Sequence, residues 1–413
     1  MKSYLADAAA LLGIPSHITS LAVAAADDLS GCWSHRDAHA LGVSAKVMAA
    51  FAGVGLNESH LAGTTGYGYH DVGRVAYERI MAVLMGAEAA LARPQIVSGT
   101  HAIVLALSTL LGSGDTLCSL TGRPYDTLRQ ALVDHPRALC RRGVAYCEAG
   151  DIDAMLDRRP QVAFVQRSRG YASRPSLTIA DIRTLVSRVR DRSPETLVVV
   201  DNCYGELVEL EEPCQAGADV AAGSLIKNPG GGMALAGAYV AGSTQIIARI
   251  ADHAFAPGLG GAIGPGLGAT RWALAGLHRA PRTVCEGLKV ADFAAALFSR
   301  LGYAVDPLAG GKRTDIIQAI ALGTPEKLLA FANGLQRLLP VNSKARPEPG
   351  HVPGYRDPVV MAGGAFIDGS TMELSCDAPL RPPYEMYLQG GMDLAHGMLA
   401  AMSAAAAVSA VGR

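Results

Sequence analysis

Between residues 116 and 242 the chain keeps returning to short apolar runs: TLCSL, VAFVQ, LVVVD, DVAAGSLI and GAYVAG. The segment TIADIRTLVSRVRD, with helical spacing, separates the second run from the third. A strand that is apolar along its whole length buries both faces, which requires helices packed above and below. Such runs alternating with helices predict an α/β fold with a mainly parallel sheet. Upstream, residues 1 to 55 read as helical, and a glycine-rich, tyrosine-bearing loop follows, LAGTTGYGYHDVGR. VAYERIMAVLMGAEAALA has helical spacing and PQIVSG reads as a short buried strand. THAIVLALSTLLGSGD reads as a helix ending at Gly112 or Gly114. Past residue 285 the pattern changes. Helical stretches (EGLKVADFAAALFSRLG, PEKLLAFANGLQRLL, GGMDLAHGMLAAMSAAA) enclose the strands DIIQAIAL and TMELS. The expected organisation is a helical segment 1–55, a large domain 56–285 and a smaller α+β domain 286–413.

With 413 residues the chain is too long for one simple core. Half of its residues are hydrophobic and only 18% are charged, which favours a well-filled core and a large subunit interface. The formal net charge of −1 leaves no basic excess for a phosphate backbone, so nucleic acid is excluded as a partner. The 8 Cys include no C-x-x-C pair and read as buried thiols of a reducing compartment rather than a disulfide frame. Asp7, Pro15 and His17 interrupt the apolar N-terminal run, which reads as an amphipathic helix and not a signal peptide. The C-terminal GMLAAMSAAAAVSAVGR is too short and alanine-rich for a membrane span. These features predict a cytoplasmic soluble protein.

One lysine stands out. Lys227 lies in SLIKNPGGGMALA, among apolar and glycine residues and with no carboxylate near it in sequence. The plain reading is a strand end pointing to solvent. The chemical reading is a desolvated amine of the kind that condenses with aldehydes. Other segments bear on the choice. VVVDNCYGE runs a strand straight into Asp201, at the carboxyl end where open α/β sheets bind ligands. VSGTHA is a strand–glycine–helix turn whose amides at Gly99, Thr100 and His101 open a helix suited to phosphate. Ser224, three residues before Lys227, adds a hydroxyl, and Tyr125 in TGRPYDT offers an aromatic face. Each has an ordinary reading: a helix cap or turn aspartate, a routine turn, simple packing. Together they specify a planar, phosphorylated aldehyde with a ring nitrogen that needs an anion. That ligand is pyridoxal 5′-phosphate. The glycine-rich APGLGGAIGPGLGAT also fits G-x-G-x-x-A at Gly264, Gly266 and Ala269. It lacks a leading strand and a downstream acid, so it reads as a loop or subunit contact.

From about residue 60 to 391 the chain resembles the methionine gamma-lyase-like proteins often called aluminium-resistance proteins, relatives of the cystathionine lyases. The resembling stretches are TGYGYHDVGR, RPQIVSGTHAI, VQRSRGY, VDNCYGE, AGSLIKNPGGG, RTDIIQAI and RPPYEMYLQGG. The resemblance implies the fold-type I transferase fold of pyridoxal-phosphate enzymes and a homotetramer of catalytic dimers that share their sites. It implies Lys227 as the lysine that condenses with the cofactor and Asp201 as the partner of its ring nitrogen. Gly99, Thr100 and Ser224 would hold the phosphate and Tyr125 would stack. Tyr67, with Tyr69 as a rival, and Arg74 would reach the neighbouring subunit's phosphate. Arg381 is the choice for the substrate carboxylate, because guanidinium binds it in a bidentate way; Arg167 and Arg169 compete, and all three also read as solvated arginines.

The sequence departs from the family pattern at Ser173 and Gly350, where tryptophans are common, at Ala262, where a glutamate is usual, and at Leu61, in place of an aromatic. If these line the pocket, it is roomier and less charged. The functional expectation is a lyase acting on an L-amino acid by γ-elimination, with Lys227 moving protons and Tyr125 or Tyr67 serving the leaving group. An unusual γ-chlorinated substrate giving a terminal alkyne is one expected candidate. Alternatives are β-elimination, methionine γ-lyase activity and γ-replacement. A non-catalytic binding protein would be marked by loss of Lys227 or Asp201, and both are present.

Overall fold

Every apolar run between 116 and 242 is a strand of one sheet. The computed structural model describes residues 2–148 and 150–411. Seven strands form the larger sheet: β1 (Ala89–Arg93), β2 (Thr116–Ser119), β3 (Ala145–Glu148), β4 (Val162–Gln166), β5 (Leu197–Asp201), β6 (Val220–Ser224) and β7 (Ala238–Gly242). Their order is β1-β7-β6-β5-β4-β2-β3. From β3 across to β6 the neighbours are parallel, and β7 runs antiparallel to both β6 and β1. β4, β6 and β7 are buried at every position, as two-sided cover requires.

Two local expectations need correction. The helix starting at Val72 stops at Met85, because Gly86 adopts φ +69° and closes it. That frees Ala89–Arg93 to become β1, so residues 94 to 98 form a turn and not the expected strand. In the smaller sheet Thr371–Leu374 is not a strand; the strand starts at Ser375. A third correction concerns cysteine. Cys118 and Cys147 stand opposite each other in the parallel register of β2 and β3 and form a disulfide. Six cysteines are free. Sequence spacing could not reveal the bond, because only strand register brings the two sulfurs together.

The chain packs as two units, Val43–Ala280 and Met1–Gly42 with Pro281–Arg413. The second holds five antiparallel strands: β8 (Ala304–Asp306), β9 (Ile317–Ala321), β10 (Val359–Gly363), β11 (Ser375–Pro379) and β12 (Glu385–Gln389). Their order is β10-β11-β12-β9-β8. The N-terminal helices Lys2–Leu11 and Ser16–Asp28 contribute Ala9, Ile18 and Ala22 to its core, beside Phe293, Phe298, Phe331 and Met402. The fold is thus α/β, with a large mainly parallel sheet and a second, antiparallel one. Among the described residues no helix is long and apolar enough to cross a membrane.

Candidate active site

Parallel strands deliver their carboxyl ends to one edge of the sheet. β5 and β6, paired side by side, end at Asp201 and Ser224 on that edge. The Gly99–Leu110 helix starts against them, capped by Ser98, whose Oγ accepts from the His101 amide at 3.1 Å. Its first amides, Gly99 and Thr100, have no preceding turn to donate to, so they are available to an anion. A β-carbon on Gly99 would stand 3.0 Å from Cys203 Sγ and 3.5 Å from Ser224 Cβ, which makes glycine the residue that lets helix and strand ends meet here. Thr100 Oγ1 and the Tyr125 hydroxyl lie 2.8 Å apart. The Tyr125 amide donates to Gln166 Oε1 at 3.1 Å, which ties the ring's loop to the end of β4.

Asp201 is buried. Its carboxylate accepts from the Cys203 amide at 3.1 Å and from the Cys203 thiol. Burial pushes its pKa up, partly offset by those bonds and by the positive charge of Lys227. Lys227 is half-buried, one residue before a tight turn in which the Gly230 amide donates to its carbonyl. The expectation of an amine without a carboxylate is corrected by the fold, since Asp201 comes close enough to act on it. Burial pulls the Lys227 pKa down, but Tyr204, Cys203 and Asp201 more than offset this and raise it. Without a bound aldehyde this lysine is therefore an ammonium, 3.6 Å from the centroid of the Tyr204 ring.

Sequence reasoning used Asp201 from the VVVDNCYGE motif and overlooked the rest of it. Asn202 Nδ2 donates to Glu212 Oε2 at 2.9 Å, and Glu206 Oε1 accepts from the Tyr239 hydroxyl at 3.1 Å. Both side chains are fully buried. Arg167 Nη1 donates to Asn202 Oδ1 at 2.7 Å, and its Nη2 to Glu209 Oε1 at 3.0 Å. A wholly buried arginine engaged this way serves the fold, which weakens it as a rival for a substrate carboxylate. Arg169 is buried as well. The motif's spacing gave no hint of these contacts, which depend on left-handed backbone at Tyr204 and Leu207.

The fold brings Gly99, Thr100, Tyr125, Asp201, Ser224 and Lys227 to one edge of the larger unit. Tyr67 and Arg74 lie elsewhere in it. Arg74 is buried; its Nη1 donates to Gly68 O at 3.0 Å and to Gly264 O, and its Nη2 to Ala262 O at 3.1 Å. Asp71 ties the same two loops, accepting from Thr64 Oγ1 at 2.6 Å and from the Gly266 amide at 2.7 Å. Gly68 approaches so closely that a β-carbon would sit 2.5 Å from Pro265 Cα. Tyr67 is 75% exposed at the tip of this stapled pair of loops. Arg381 belongs to the smaller unit, half-exposed and paired with Asp357 at 2.8 Å. Of the departures, Ala262 lends its carbonyl to Arg74, and a β-carbon on Gly350 would meet nothing within 4 Å.

The donor set fits pyridoxal 5′-phosphate. Helix amides and the Ser224 hydroxyl suit the phosphate, Tyr125 the flat ring, Asp201 the ring nitrogen and Lys227 the aldehyde. Known proteins agree. A solved structure of a candidate cystathionine beta-lyase involved in aluminium resistance, from Clostridium acetobutylicum, is 37% identical, with TM-score 0.92 over 97% of each chain. One of a carbon–sulfur lyase involved in aluminium resistance, from Clostridium novyi NT, is 34% identical, with TM-score 0.91 over 97% of this chain and 98% of that one. An uncharacterized protein of Bacillus subtilis (strain 168) is 41% identical over 83% of this chain and 84% of its own length. The model for methionine gamma-lyase matches residues 18–409. The chain therefore belongs to the methionine gamma-lyase family of carbon–sulfur lyases, and its cofactor is pyridoxal 5′-phosphate.

Proposed function

We propose that this protein carries out γ-elimination on a sulfur-containing L-amino acid, releasing a thiol, a 2-oxo acid and ammonia. The observation that carries the reading is the meeting of Lys227, Asp201 and the Gly99–Ser224 cradle on one sheet edge. When bound, the cofactor supplies an aldehyde that captures the substrate amine and a ring that accepts the electron pair left at Cα. Lys227 would take the Cα proton of a substrate held there. Asp201 holds the proton on the ring nitrogen; its burial strengthens the interaction with that cation. Lys227 then moves a proton at Cβ, which opens the bond at Cγ. Tyr125, whose hydroxyl already shares a hydrogen bond with Thr100, or Tyr67 donates to the departing sulfur. Arg381 takes the substrate carboxylate. Catalytic dimers, paired as a homotetramer in the cytoplasm, are part of the same reading.

The relatives' descriptions speak of carbon–sulfur cleavage, which puts sulfur substrates ahead of the γ-chlorinated amino acid that the departures suggested. The second reading is β-elimination, favoured by the likeness to candidate cystathionine beta-lyases. The oxo acid separates the two: γ-elimination from methionine gives 2-oxobutanoate and methanethiol, whereas β-elimination from cystathionine gives pyruvate and homocysteine. We expect kcat/KM for a γ-substituted sulfur amino acid to exceed that for β-substituted ones. Pyruvate alone from the whole panel would establish β-chemistry. Turnover of a γ-chlorinated amino acid with neither sulfur substrate used would restore the halide reading.

A further inference from the structure

Lys227 has a station of its own in the pocket. Its Nζ lies 3.6 Å from the centroid of the Tyr204 ring. An ammonium over an aromatic face at that range is held by the ring's quadrupole. Tyr204 presents its ring from a left-handed backbone, φ +71°. A bulky residue in that region is strained and persists only where its surroundings over-determine it. They do so here. Asn228, the residue after the lysine, is buried and donates its amide to the carbonyls of Tyr204 and Glu206, 2.9 Å each. Arg167 Nη1 donates to Gly205 O at 3.0 Å, and the Gly205 amide closes a turn on Asn202 O at 2.9 Å. The lysine's own neighbour in sequence thus fixes the loop that presents the ring.

We propose that Tyr204 is a positioning residue for Lys227, giving its amine one fixed place on the ring face whenever it is not bonded to the cofactor. The inference rests on the reading of Lys227 as the lysine that condenses with pyridoxal 5′-phosphate. While that bond exists the station is idle. Once a substrate amine displaces the lysine, the ring face replaces the many rotamers of a free lysine with one. The other groups acting on Lys227 are Asp201 and Cys203 at the end of β5, and Glu206 in the same turn. Arg174, from the segment after β4, acts on Asp201. Tyr204 differs from all of these in meeting the ammonium with a neutral aromatic face.

The test compares Tyr204→Phe, which keeps the ring, with Tyr204→Leu, which keeps neither ring nor hydroxyl. The full-length chain, freed of cofactor, is mixed with pyridoxal 5′-phosphate, and the rate of capture is followed against pH. Removing a partner of the ammonium alone lowers the amine's pKa. The rising limb of the profile should therefore move down by about one pH unit in Tyr204→Leu, a tenfold change, and by less in Tyr204→Phe. The alkaline dependence of kcat in the reconstituted enzyme should differ between variants while KM stays within a few-fold. A Tyr204→Leu profile that superimposes on wild type would overturn the proposal; if Tyr204→Leu does not fold, Tyr204→Asn, which also lacks the ring and tolerates the left-handed backbone, takes its place with the same outcomes. Borohydride adducts mapping to a different lysine in the wild-type chain would instead overturn the reading of Lys227.

Discussion

Glu206 lies wholly inside the larger unit, one oxygen on the Tyr239 hydroxyl and the other without a partner among the described residues. Burial, reinforced by the charge of Glu212, pushes its pKa up from 4.5 to about 8. A carboxyl group whose folded pKa exceeds its unfolded value stabilises the fold while both states hold the proton. That contribution is lost as pH rises from about 4.5 to about 8, where the unfolded chain ionises first. Glu206→Gln keeps the shape and removes the titration. Its stability relative to wild type, measured by urea unfolding, should rise between pH 6 and pH 9; parallel wild-type and variant curves would show that Glu206 does not titrate this way. Asp201 is the contrasting acid, one whose charge is wanted. Asp201→Asn should cut kcat by on the order of a hundredfold or more with the fold intact, and activity within a few-fold of wild type would reject its role at the ring nitrogen. Asp201 was legible in the sequence because an apolar strand ends on it. Glu206 was not, because it reaches the interior only after the backbone turns left-handed at Tyr204.

At the scale of elements, strand length and composition made the parallel sheet readable, whereas register and loop pairing did not show. The bond between Cys118 and Cys147 exists because β2 and β3 run parallel with those residues level. It predicts that the denatured, unreduced chain titrates six thiols and the reduced chain eight. Eight thiols without reductant would remove the disulfide. The stapled loops are a second case. TGYGYHDVGR suggested phosphate contacts for Arg74, yet its guanidinium is spent on the carbonyls of Gly68, Ala262 and Gly264. The glycine-rich 256–270 segment, read from sequence as a loop, is the other half of that staple. Arg74→Ala would strand buried carbonyls and should destabilise the fold by about 2–4 kcal/mol. Thermal unfolding checks this, and an unchanged Tm would mean that the loops hold without the arginine.

At the scale of the whole molecule the stapled loops and the helix starts that follow them expose several large apolar side chains. Tyr67, Leu267 and Val72 are at least half exposed, and Tyr69 and Trp272 nearly so. The Tyr67 and Tyr69 rings lie 5.8 Å apart, and exposed apolar side chains grouped in this way suit an interaction face. A second copy of the chain is the occupant that the proposed catalytic dimer requires. Placing Arg74 inside the staple leaves Tyr67, at the tip, as the residue to reach across. Lys227→Ala subunits lose the lysine of their own site, and Tyr67→Phe subunits would spoil only their neighbour's. Neither homodimer should turn over well. In a hybrid, the site built on the intact Lys227 receives the intact Tyr67, so random mixing should restore up to about a quarter of wild-type activity. Light-scattering mass first establishes that hybrids form. Hybrids of confirmed composition with no recovered activity would confine Tyr67 to its own subunit.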